Sequence, residues 1–152
     1  MVFAVVRQKG NRVIVEFNGV PKDDKELDIY LNQLVTIFNQ KVRFLILYDA
    51  QNIGALSWKH IHKQAAFMKH KEHLIREYMC RIAIIVPPNP LMRSMLRFLF
   101  KLRKPAAPCE VYTDRGKAEL FLRKANLAFS ETIEDHAQGP DADEINDEIC
   151  LT

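Results

Sequence analysis

Basic residues stop early in this chain: none of its 22 Lys and Arg lies beyond Lys124. Residues 127–152 hold eight of the 19 acidic residues, which leaves a formal +11 on residues 1–126 against −8 on the remainder. Charge divided this way suggests an anionic partner or pairing of the acidic stretch with the basic body. Cysteine is scarce and odd in number. Cys80, Cys109 and Cys150 include no CxxC pair, which argues against a disulfide framework and points to reduced thiols in the cytoplasm. No apolar run approaches the roughly 18 residues of a membrane span, and the opening MVFAVVRQKG carries no secretory-leader pattern. The five glycines, Gly10, Gly19, Gly54, Gly116 and Gly139, are scattered, so no loop is built to cradle a phosphate. No serine sits in a nucleophile elbow. These absences remove the familiar enzyme signatures and leave binding as the function to argue. No catalytic residue, metal or cofactor is assigned.

What is present fits one domain. A chain of 152 residues can bury roughly two-thirds of its unfolded surface without staples. Residues 2–6 and 12–17 read as a β-hairpin, with Val13, Val15 and Phe17 alternating against Ile14 and Glu16. Asp23 followed by Glu26 resembles a capping box, and Leu27, Tyr30, Leu31, Leu34 and Phe38 then recur at helical spacing. Residues 42–49, VRFLILYD, are almost unbroken in apolar character, as an interior strand covered on both faces should be. After a loop over residues 50–56, Ser57 is a natural N-cap for a long second helix over residues 58–79, with Trp58, Ile61, Ala65, Met68, Ile75 and Met79 along one side. A strand over residues 81–86, a third helix, a short strand over residues 109–113 with Cys109 and Val111 on the side opposite Glu110 and Tyr112, and a last helix from Asp114 complete the order ββαβαβαβα. The expected fold is α/β: a single mixed sheet of about five strands with four main helices. Residues 1–126 form the domain and residues 127–152 an acidic tail of the composition that stays mobile.

The third helix carries more apolar surface than docking on one sheet requires. Set at 100° steps, Leu91, Met92, Met95, Leu96, Phe98, Leu99, Phe100 and Leu102 cover an arc of about 200°, twice the roughly 100° of an ordinary packed stripe. Only Arg103 intrudes. The other sector holds Ser94 and a basic stripe of Arg93, Arg97, Lys101 and Lys104. A surplus of this size needs a cover: a neighbouring helix, a second copy in a homodimer, or a ligand surface.

The run CEVYTDRGKAELFLRKA, residues 109–125, together with the order of elements, resembles the closing signature of SpoIIAA-like proteins of the STAS superfamily, where a strand and turn lead into an acidic-alanine-aromatic-leucine helix, here Glu119, Leu120, Phe121 and Leu122. The resemblance covers residues 1–126. It implies a non-enzymatic module that binds protein partners, in some members switched by phosphorylation of a serine in an Asp-Ser-Ser-Gly motif after the third strand. Here that stretch, residues 49–58, reads DAQNIGALSW; it lacks the motif and offers Ser57 as its one serine. The SpoIIAA-like branch is also similar in fold to CRAL-TRIO lipid carriers, which implies lipid or membrane association.

Two functions follow as expectations. One is presentation of the third helix, its apolar residues rimmed by Arg93, Arg97, Lys101 and Lys104, to a lipid or anionic membrane surface, placing the protein in the cytoplasm and peripherally on membrane. The other is a STAS-type regulator that binds a protein through the loop ahead of the second helix, with Ser57 as phosphosite; capping alone explains a serine there. His70, His73 and Glu77 share a helical face, but the neighbouring lysines would repel a cation and no second ligand cluster exists. Nucleic acid is disfavoured, because no recognition helix or aromatic-basic strand accompanies the positive charge.

Overall fold

The computed structural model describes residues 2–135, with side chains described through residue 125. The strands are β1 (Ala4–Lys9), β2 (Arg12–Gly19), β3 (Phe44–Ile53), β4 (Met79–Ile85) and β5 (Cys109–Tyr112). The helices are α1 (Asp24–Phe38), α2 (Trp58–His70), α3 (Glu72–Tyr78), α4 (Pro90–Leu102) and α5 (Arg115–Asp135). The strands form one mixed sheet in the order β1-β2-β3-β4-β5; β1 and β2 are antiparallel and every other pair is parallel. Gly10 and Asn11 close the β1–β2 hairpin. Gly10 takes φ +62° at the first of these two positions, where a II′-type turn requires a positive φ.

Strand order in space follows strand order in sequence, and this decides where the helices go. Each crossover from β2 onward joins neighbouring parallel strands in the same direction, so the right-handed rule sends every connecting helix to one face. There, α1, α2, α3 and α4 meet Val13, Val15, Phe44, Ile46, Ile82, Ile84 and Cys109. Among the described residues, α5, which follows the last strand, is the one helix on the opposite face, packing Ala118, Phe121, Leu122 and Ala125 against Leu45, Leu47, Ala83 and Ile85. The period-two alternation read in β2 and β5 is the alternation between these two cores.

Two charged groups are buried under α5. Arg81 donates to the Phe121 carbonyl at 3.1 Å with its guanidinium 4.7 Å from the centre of the Phe121 ring. Glu110 accepts from the Tyr112 hydroxyl at 2.7 Å. Arg12 reaches Glu119 at 2.9 Å. Buried cations and anions are tolerated only with such partners; the Arg81 and Arg12 contacts join the sheet to α5, whereas the Glu110–Tyr112 pair lies within β5.

Several expectations about elements differ from the structure, beginning with the first strand, read over residues 2–6 and found at Ala4–Lys9. The second helix is two, α2 and α3, separated at Lys71 (φ −101°, ψ 13°). The break keeps Ile75 in the core while Ile61 and Ala65 also stay buried. The strand expected to end at Asp49 continues to Ile53, since β2 goes on pairing with it through Asn18↔Asn52 and Gly19↔Ile53 after a bulge between Glu16 and Asn18. Pairing between distant segments thus outweighs the polar, loop-like character of Asp49, Gln51 and Asn52. Strand β4 begins at Met79, two residues earlier than read. Helix α5 runs on to Asp135, and the acidic stretch from residue 136 lies outside the described residues.

Candidate binding site around the fourth helix

Helix α4, the third helix of the sequence reading, is defined sharply at both ends. Asn89 is its N-cap, its side chain accepting from the Leu91 N–H at 2.9 Å, and Pro90 occupies the first turn, where a missing N–H costs nothing. At the other end, Arg103 pairs with Glu72 of α3. The one cation inside the apolar arc is therefore consumed by an acid from a different helix. Glu72 also accepts from Arg76 at 2.6 Å, so one carboxylate ties α3 to the end of α4.

Between its ends, α4 packs chiefly on α2 and makes no comparable approach to any strand. Its apolar arc divides accordingly. Met92, Met95, Leu96, Leu99 and Phe100 turn inward, and with side chains from the sheet, α1, α2 and α3 they line a partly open cavity of ≈ 150 Å³. The Leu56 N–H donates to the Met95 sulfur at 3.3 Å, joining the loop before α2 to the cavity wall. The outward remainder is Leu91, 60% exposed, Leu102, 37% exposed, and half-buried Phe98.

Trp58 completes the outward strip. The sequence reading set it on the core side of the second helix, but it is 62% exposed. Its ring lies 4.3 Å from that of Phe98 and 4.8 Å from that of His62. At the first residue of α2 there is no preceding turn to cover it, and α4 offers Phe98 instead. The signal that could have placed it was compositional: the single tryptophan of the chain sits beside the helix with surplus apolar surface. Arg93, Arg97, Lys101 and Lys104 are all exposed, and α4 contains no acidic residue.

The cavity lining is apolar apart from a few groups. The hydroxyls of Tyr30 and Tyr48 hydrogen-bond one another there, and burial pushes both phenols up, that of Tyr48 to about 12. His60 and Gln64 project from α2 into the same lining. His60 Nε2 stands 3.7 Å from Asp24 of α1, while its Nδ1 is shut off from solvent without a hydrogen-bond partner. Asp24 is held mainly by Lys59 at 2.7 Å, which keeps its carboxyl below the ordinary range, and Lys63 pairs with Asp28 at 2.6 Å. Lys59 and Lys63 thus join α2 to α1.

Ser57 is where the sequence placed it, capping α2 by accepting from the His60 N–H at 3.2 Å, and is exposed. His70 closes α2 whereas His73 and Glu77 belong to α3. Their i, i+3, i+7 spacing therefore does not run along one unbroken helix. Among the described residues no three His, Cys, Asp or Glu side chains converge as a metal site, and no helix is long and apolar enough to cross a membrane. No protein-family model matches the chain, and no curated protein matches it.

Proposed function

We propose that the chain is a non-enzymatic binding module that docks α4 and the start of α2 onto an anionic lipid surface. The observation that carries this reading is the outward strip of Trp58, Leu91, Phe98 and Leu102, flanked around the helix by Lys101 and then Arg97, with no acid on the same helix. Indole rings favour the boundary between head groups and acyl chains. Long cationic side chains lie along apolar surface and hold their charges at head-group level. Each cation contributes about 1 kcal/mol near an anionic membrane. Leu91 and Leu102 together expose about as much surface as one whole leucine, and its transfer adds about 2 kcal/mol. The inward residues Met92, Met95, Leu96, Leu99 and Phe100 take no part in surface docking on this reading. Ser57 is accounted for as a cap, so partner regulation through its phosphorylation has no comparable support. Flotation of the full chain with vesicles tests the proposal: it should rise with vesicles rich in phosphatidylserine and remain below with phosphatidylcholine alone. Absence from both floating fractions refutes it.

A further inference from the structure

The cavity behind α4 is separate from the outward strip, and its size bounds what can enter. At ≈ 150 Å³ it is well below the roughly 300–1,000 Å³ of pockets for drug-sized ligands. It matches an engineered apolar cavity of about 150 Å³ that takes up benzene. Native interiors pack as densely as organic crystals and keep few voids larger than a water molecule. This chain had the means to close the space. Four of its five methionines, Met68, Met79, Met92 and Met95, line the cavity, and unbranched thioethers readily fill irregular gaps in a core. Space left open among such side chains suits an occupant, to whose shape they can adjust.

The lining also decides what that occupant lacks. Its surface is almost wholly apolar, and among the described residues no Lys, Arg, Asp or Glu contributes to it. The Tyr30 and Tyr48 hydroxyls, two of the few polar groups there, satisfy one another. A charged group carried into such surroundings loses water and meets no opposite charge, which is costly. An apolar body instead gains in proportion to the surface it hides from water. The cavity is partly open, so entry needs no unfolding. We infer that it is a binding site for a small uncharged molecule with a hydrocarbon body of about one six-membered ring, selected by size and by lack of charge.

Toluene and benzoate, one ring without and with a charge, decide the matter at pH 8, where the benzoate carboxyl is ionised. Each is titrated into the full chain carrying methyl-labelled methionine and followed by NMR. Toluene should move the signals of Met68, Met79, Met92 and Met95 to saturation. Benzoate should bind at least tenfold more weakly, since its carboxylate must give up water without compensation. Leu96→Trp, which enlarges a side chain of the α4 wall, should weaken toluene binding at least tenfold. Toluene that leaves the four signals still or never saturates them, benzoate that binds within tenfold of toluene, or a folded Leu96→Trp protein that takes toluene as the original does, overturns the assignment. The unaltered chain alone gives the first two readings, so a variant that fails to fold leaves the test decisive. No vesicle enters the assay, so failure of surface docking leaves this result intact.

Discussion

Arg97 and Lys101 are one turn apart on the exposed side of α4, and Lys101 borders Phe98 and Leu102 around the helix. Replacing both with glutamine keeps most of the side-chain length and removes two charges. At about 1 kcal/mol per cation near an anionic surface, the loss is about 2 kcal/mol, or roughly thirtyfold in the partition constant. Any weak binding to uncharged vesicles should not change, because the apolar strip is untouched. Salt should reproduce the effect in the unaltered protein. The screening length falls from about 8 Å at physiological ionic strength to about 3 Å at 1 M, so the two proteins should converge as salt rises. Both positions are exposed, and the contacts of an exposed charge contribute about 0–1 kcal/mol each, so both proteins should remain folded at the assay temperature, which thermal melting checks. Sedimentation with vesicles of graded phosphatidylserine content measures the partition. A folded Arg97→Gln/Lys101→Gln protein that partitions like the original, at every lipid composition, would show that the basic stripe plays no part in docking.

Three stability measurements probe the frame that holds α4. Ser57→Ala removes the acceptor for the His60 N–H and should cost about 1 kcal/mol in urea unfolding; an unchanged midpoint would mean the cap contributes nothing. Lys41 is the one non-glycine among the described residues with positive φ, at 57°, so Lys41→Gly should relieve roughly 1 kcal/mol of left-handed strain; lower stability would contradict this. Tyr48 is pushed up to about 12, chiefly by burial, above an unfolded value near 10. Its folded form holds the proton more tightly, so its contribution of roughly 2–3 kcal/mol is present below about pH 10 and is lost as pH rises toward about 12. Tyr48→Phe should flatten the decline of stability across that window; an unaltered slope counts against it.

The sheet was legible because its evidence is local. Alternation along β2 and β5 assigned both faces, the capping residues Asp23 and Ser57 marked two helix starts, and the unbroken run in β3 located the centre. The features missed depend on segments far apart in the chain. Nothing near Asp49 foretells that β2 will pair as far as Ile53, and nothing near Arg103 names Glu72 as its partner, 31 residues earlier. An arginine alone inside an apolar arc was nevertheless a sign that an acid would be found to meet it. The surplus arc on α4 was legible from its width. Its division into a cavity wall and an outward strip was not, because that depends on α4 packing on α2 and leaving space above the sheet. Trp58 was misplaced for a related reason: helical spacing counts it with Ile61 and Ala65, although at the first turn no neighbour is available to bury it.

Trp58 is the only tryptophan and lies in the outward strip, so its emission reports directly on docking. Titration of the full chain with phosphatidylserine-containing vesicles should shift that emission to shorter wavelength, and spin labels placed high on the acyl chains should quench it more strongly than labels placed near the bilayer centre. Emission that keeps its wavelength while vesicles saturate, with no quenching from either depth, would contradict the proposal that α4 and Trp58 meet the lipid.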